Sequence, residues 1–142
     1  MIKKLVGFFV LPLGLFCVHL VLSALDVYKR YRWPDIPMHI LGGVFIAYSF
    51  SLTVTYFQER KILSELNVFT RSVFLFGLTS SAVVVWEFGE FMLDFFFDTV
   101  AQLSLEDTML DMFLGLAGGT LLIAFFGRGS IKDYVKKGKA PE

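Results

Sequence analysis

Charged residues are scarce in this sequence, and cysteine is almost absent. Only 18% of the 142 residues are charged, against about a quarter in an ordinary soluble domain, and 56% are apolar. The charges gather in short segments between long apolar runs. Because a charge at the bilayer centre costs about 3 kcal/mol, this pattern indicates an integral membrane protein. The single cysteine, Cys17, excludes an intrachain disulfide and a cysteine-based zinc site.

Four apolar segments are each long enough to form a membrane-spanning helix, which needs about 20 residues. No small-residue cleavage motif follows the first segment, so we interpret it as a retained helix and not as a signal peptide. The sequence therefore predicts an all-α, polytopic integral membrane protein that forms a single domain over residues 1–142. Its four transmembrane helices are predicted at residues 5–25, 38–57, 72–97 and 108–126.

Basic residues predict how these helices are oriented. In a four-span protein the N-terminus, the middle loop and the C-terminal segment share one side, and here they carry ten of the 13 lysines and arginines. By the positive-inside rule, both termini are cytoplasmic, including the basic tail at residues 128–142. Tyr28, Tyr31 and Trp33 are then expected in the interfacial belt on the opposite, outer side.

Acidic residues of the third segment share one helix face. Glu87, Glu90, Asp94 and Asp98 fall within an arc of about 80° at 100° per residue. Glu87 lies about 16 Å inward from Asp98, near the bilayer midplane. The third and fourth segments contain no lysine or arginine, so the acids must be offset in another way. A bound cation, protonation, or salt bridges from the first loop are the alternatives.

Two other segments present polar groups at a similar depth. His39 follows Asp35 by four residues, and Asp111 follows Asp107 by four. Glycines continue the same helix faces and let neighbouring helices approach closely, so we expect these groups to converge. Spacing alone leaves three alternatives open: Asp35 as a helix cap, Thr108-x-x-Asp111 as a capping box, and His19 as an ordinary polar contact.

A divalent metal ion is the leading explanation for the acids. Carboxylates combined with imidazole favour Zn, Mn or Fe. The candidate catalytic residues are His39, Glu87 and Glu90. The candidate metal ligands are His39, Glu87, Glu90, Asp94, Asp107 and Asp111.

Three motifs of this chain carry a family resemblance: Asp35-x3-His39-x2-Gly42-Gly43, Trp86-Glu87-x2-Glu90-x3-Asp94 and Asp107-x3-Asp111-x3-Gly115-x2-Gly118-Gly119. Over about residues 33–120 the chain resembles the YjdF-like family of small bacterial inner-membrane proteins and, more distantly, VanZ-like proteins. The resemblance implies a multi-pass protein of the bacterial inner membrane, and it hints at envelope or lipid chemistry. It also implies that the candidate ligands named above occupy motif positions.

Three functional hypotheses follow. The first is a membrane-embedded metal-binding protein whose site opens to the non-cytoplasmic side, used for metal-assisted hydrolysis or transfer on a lipid-linked or envelope substrate. The second is a proton or cation translocator that uses the acids of the third helix as a ladder. The third is a non-enzymatic helper subunit that binds another membrane protein. A lipid bilayer is the expected environment, no nucleic-acid partner is expected, and the sequence leaves open whether the protein is an enzyme.

Overall fold

A computed structural model describes residues 1–97 and 99–126, and within these ranges the chain is helical and contains no strand. Three helices are long and apolar enough to cross a membrane, or four if the helices Ile2–Phe8 and Val10–Ala24 form one bent span. The predicted all-α, polytopic membrane protein is thus confirmed, whereas the cytoplasmic assignment of its termini stays a prediction. Asp98 and the basic tail at 128–142 lie outside the described residues. The elements are α1 (Ile2–Phe8), α2 (Val10–Ala24), α3 (Val27–Arg30), α4 (Asp35–Glu59), α5 (Val68–Phe97) and α6 (Leu105–Phe126).

The first predicted span is not one straight helix. α1 and α2 are separated at Phe9 and bent by 56°, which corrects the continuous helix predicted at residues 5–25. The cause is Pro12, because a proline has no N–H to donate to the carbonyl four residues earlier and its ring clashes with that carbonyl. The carbonyl in question belongs to Phe8, and the Ser49 hydroxyl of α4 lies 2.7 Å from it. The bend therefore leaves no buried acceptor unsatisfied at this point.

Glycines set the contact between α4 and α6. A Cβ placed on Gly43 would collide with the backbone of Gly115, and a Cβ on Gly118 would collide with the carbonyl of Ile40. The two helices therefore pack backbone to backbone, as the glycine pattern predicts. They run in the same direction, since Ala47 of α4 contacts Gly119 one turn further along.

α5 runs antiparallel to both helices and closes the bundle. Its Val83 and Thr79 side chains pack on Gly115 and Gly119, and Leu75 lies in an apolar core with Val54. Near the start of α5, buried Arg71 donates to Thr55 Oγ1 at 2.9 Å and to other oxygens of α4. We call the opposite end of the bundle, where α4 and α6 begin and α5 ends, the outer end.

Adjacent glycines of α4 offer a direct test of this packing. Gly43→Ala should lower the free energy of unfolding by about 1–3 kcal/mol, because the added methyl group forces α4 away from α6. Gly42→Ala is the matched control, since a Cβ there meets only Leu15 Cδ2 at an ordinary 3.8 Å. Thermal unfolding in detergent measures both variants. Equal stability of Gly43→Ala and Gly42→Ala would contradict the close approach of the two helices.

Candidate metal centre

A buried imidazole lies at the centre of the outer end of the bundle. His39, one turn into α4, is 7% exposed, and four carboxylates surround it. Its Nε2 atom lies 3.4 Å from Asp35 Oδ1, 3.8 Å from Asp111 Oδ1 and 4.0 Å from Glu90 Oε1. Its Nδ1 atom lies 3.6 Å from Glu87 Oε1. The three long helices α4, α5 and α6 therefore each supply at least one carboxylate to the same imidazole.

None of these four contacts is as short as an ordinary N–H···O hydrogen bond, which measures about 2.7–3.2 Å. Glu87 and Asp111 are each only 4% exposed, so water has little access to compensate them. Glu87 Oε1 is buried and has no hydrogen-bond partner among the described residues. Buried carboxylates without adequate partners are costly. Either protonation of some of the carboxylates or a bound cation would offset this cost.

For two residues of the cluster, Asp35 and Asp111, the sequence alone left a helix-capping role open. Asp35 is the first residue of α4, and the N-cap position before it is occupied by Pro34, which makes no side-chain capping hydrogen bond. Asp111 does not belong to a capping box, because α6 begins three residues before Thr108 and Ser104 Oγ accepts from the Asp107 backbone N–H at 3.2 Å. Both carboxylates are instead brought to His39, so the capping interpretations are wrong.

His19 of α2 adds a second buried imidazole. Its Nε2 lies 3.6 Å from Glu90 Oε1, and its Nδ1 lies 3.2 Å from the Tyr28 hydroxyl. Trp86 Nε1 donates to the same Glu90 oxygen at 2.8 Å. Glu90 is thus shared by both histidines and the indole, and His19 is more than an isolated polar contact.

Tyr28 is buried within the protein, beside His19. Tyr31 and Trp33 are exposed, and the place of all three residues in an interfacial belt stays a prediction. Burial raises the pKa of the Tyr28 phenol above its usual range, because the charged phenolate is poorly solvated there. The phenol therefore stays protonated at neutral pH and can hold the His19 ring in place. Its aromatic character was visible in the sequence, but its burial depends on the turn at α3.

Asp94 lies on the predicted acidic face but serves the loop between α5 and α6. Its Oδ1 accepts from Thr99 Oγ1 at 2.6 Å and from the Ala101 backbone N–H at 2.7 Å, and its Oδ2 accepts from the Gln102 backbone N–H at 2.8 Å. The ordered loop directs Gln102 Nε2 to the backbone carbonyl of Glu87 at 3.0 Å. Asp94 thus supports the cluster through Gln102, and it does not contact His39 in the described residues.

Asp107 also lies apart from the imidazole. Its Oδ2 accepts from the Leu103 backbone N–H at 3.4 Å, at the start of α6. Of the six ligands predicted from the sequence, His39, Glu87, Glu90 and Asp111 converge, and Asp94 and Asp107 hold the adjoining loop. Asp35, which the sequence left undecided, joins the convergent set.

The spacing of the convergent side chains is compatible with a bound metal ion. Two groups each offer three ligand atoms within 4.8 Å of one another: Asp35, His39 and Asp111, and His39, Glu87 and Glu90. Ligands bound to one Zn²⁺ at about 2.0–2.2 Å from it are separated by roughly 3–4 Å. The distances around His39 match that spacing within a small side-chain rotation. The set of one imidazole with several carboxylates therefore fits Zn, Mn or Fe.

Comparison with known proteins identifies the class and then the family. The fold and its apolar helices define a polytopic membrane protein. Over residues 4–130 the chain matches the family described as "Predicted membrane protein (DUF2238)", and it belongs to that family. No curated protein and no solved structure matches the chain.

Replacement of Asp94 separates its loop contacts from metal binding. Asp94→Asn should destabilise the protein by about 1–3 kcal/mol, because the amide group cannot accept from all three donors. It should leave divalent-metal binding close to that of the wild type. Equilibrium dialysis with elemental analysis, alongside thermal unfolding in detergent, measures both effects. Loss of the metal at unchanged stability would show that Asp94 is a ligand after all.

Proposed function

We propose that this protein binds a divalent metal ion through His39 Nε2 and the carboxylates of Asp35 and Asp111, and that Glu90, 4.0 Å from the same nitrogen, joins them after a side-chain rotation. The proposal rests on the surroundings of the His39 Nε2 nitrogen. Three carboxylate oxygens, one from each of the helices α4, α5 and α6, lie 3.4–4.0 Å away without a hydrogen bond to it. A cation among them would offset their charge in a site of low dielectric constant.

Glu87 would support the metal site from the other side of the imidazole ring. Most metal-bound histidines present their second nitrogen to a carboxylate or carbonyl that fixes the ring, and Glu87 Oε1 faces His39 Nδ1 at 3.6 Å. No hydrogen-bond donor among the described residues reaches this oxygen, so it is available to accept from the Nδ1–H group of the ring.

The proposed activity is metal-assisted hydrolysis or group transfer on a lipid or lipid-linked envelope substrate in the bacterial inner membrane. A bound Zn, Mn or Fe ion would supply an acidified water and positive charge for a developing oxyanion. Within this scheme His39, Asp35, Asp111 and Glu90 would hold the ion, and Glu87 would orient the His39 ring. The location and the substrate class follow the resemblance to YjdF-like and VanZ-like proteins.

A proton or cation translocator is the rival proposal, and one observation disfavours it. The buried face of α5 continues inward from Glu87 through Val83, Thr79 and Leu75. In the described part of α5, no acid follows on that face before Arg71. A ladder of carboxylates would therefore end near the middle of the helix, which suits a site better than a pathway across the membrane.

Elemental analysis of the detergent-purified chain tests the proposal. After dialysis against Zn, Mn or Fe(II), the wild type should retain about one ion per chain, and Asp111→Asn and His39→Ala should retain far less. Glu87→Gln should weaken binding about 10–100-fold, as expected for a residue that orients a ligand. Glu106→Gln, which removes an exposed acid of the same α6 helix, is the matched control and should bind normally.

Two outcomes would overturn the metal proposal. One is a wild type that retains no more metal than His39→Ala. The other is a metal-free protein that conducts protons into liposomes and loses this flux in Glu90→Gln, which would favour the translocator. A metal-free protein without flux that copurifies with another membrane chain would favour a helper subunit.

A further inference from the structure

A groove opens on the side of the bundle between α2 and α5, with α4 as its floor. It encloses about 550 Å³, a size typical of cavities that hold small ligands. On α2 the lining residues run from Pro12 to His19, and on α5 they run from Ala82 to Leu93, a rise of about 16 Å. The groove is therefore long and narrow, and it is oriented along the helices.

The groove is apolar except at one end. Leu13 and Val85 line it and are 52% and 67% exposed, although both lie well inside helices of the membrane-spanning bundle. The groove thus opens towards the hydrocarbon of the bilayer and not towards water. Among residues 1–97 and 99–126, His19 and Glu90 are the only ionisable side chains that line it, and both lie near its outer end. A ligand that matches this lining has a hydrocarbon body and one small polar end.

The polar end offers a place for a hydroxyl group. His19 Nε2 is buried and has no hydrogen-bond partner in the part of the chain that the structure describes. Its 3.6 Å separation from Glu90 Oε1 is too long for a hydrogen bond. A hydroxyl can both donate and accept, so it can bridge the imidazole and the carboxylate whichever tautomer the imidazole adopts. An anionic head group is disfavoured here, because Glu87, Asp111 and Asp35 lie close to the same end.

We propose that this groove binds the hydrocarbon chain of a lipid whose small, hydroxyl-bearing head lies between His19 and Glu90. The head would then adjoin the metal site through Glu90, which lines the groove and also faces His39. This inference rests on the proposed function in one respect only: it takes the polar end of the groove, beside Glu90, as the place where the reaction occurs. Binding of the chain itself requires no metal.

Fluorescence quenching of Trp86 tests the proposal, because this residue lines the groove and Trp33 is the only other tryptophan. In the full chain carrying Trp33→Phe, a monoacylglycerol brominated along its chain should quench Trp86 with a saturable dose dependence. The methyl ester with the same brominated chain lacks the hydroxyls and should bind roughly 3–10-fold more weakly. His19→Ala should abolish this difference between the two probes.

Two glycines of α5 supply a matched pair of variants. A Cβ added at Gly89 or at Gly77 meets nothing within 4 Å, but only Gly89 lines the groove. Gly89→Leu should fill the groove and weaken the probe about tenfold or more, whereas Gly77→Leu should not. Quenching that rises without saturation, or that is equal in both variants, would mean that bulk lipid merely solvates this face and would overturn the proposal.

Metal measurements on the same variants separate this inference from the proposed function. Gly89→Leu should retain the metal that the wild type binds, and His39→Ala should lose the metal while Trp86 is still quenched saturably. If the wild type binds no metal but the Gly89→Leu effect persists, the groove proposal stands and the metal proposal fails.

Discussion

At the outer end of the bundle, one imidazole and four carboxylates share a space with little access to water. Such a grouping is unfavourable in low dielectric unless each charge finds a partner. The surrounding structure holds it together nevertheless. Gly43 and Gly115 meet one turn below His39 and Asp111, so their close backbone contact fixes the distance between the two side chains above. The antiparallel α5 then brings Glu87 and Glu90 to the same depth.

The sequence predicted those parts of the site that depend on spacing within one helix. Glu87 and Glu90 share a face because the helical period requires it. The glycines of α6 predicted close packing against a neighbouring helix. The role of Asp94 was not predictable in this way, because its carboxylate is occupied by backbone groups of a loop. The role of Asp111 was ambiguous because the sequence did not show clearly where α6 begins. Ser104 accepts from the Asp107 backbone N–H at the start of this helix. A single serine is a weak signal beside the longer apolar run that follows it.

In the first predicted span, the sequence contained a signal for the bend, but the hydropathy pattern outweighed it in the prediction. Pro12 stands inside the predicted span, and its consequence for the Phe8 carbonyl follows from elementary helix geometry. Hydropathy alone nevertheless favoured one uninterrupted segment. The bend also shapes the groove between α2 and α5, because Phe9 and Pro12 line it. The same helix carries His19 to Glu90, so the groove and the cluster meet at a single carboxylate. The contact of His19 with Tyr28 depends on tertiary structure and left no trace in the spacing.

X-ray absorption at the edge of the bound metal, measured on the full chain in detergent, tests the central claim most directly. The account predicts a first coordination shell of oxygen with at least one imidazole nitrogen, recognisable by the multiple scattering of the ring, and no sulfur. His39→Ala should retain far less metal, and any metal that remains should show no imidazole signal. A spectrum with oxygen ligands alone, identical in wild type and His39→Ala, would contradict the claim that His39 and its carboxylates form a metal site.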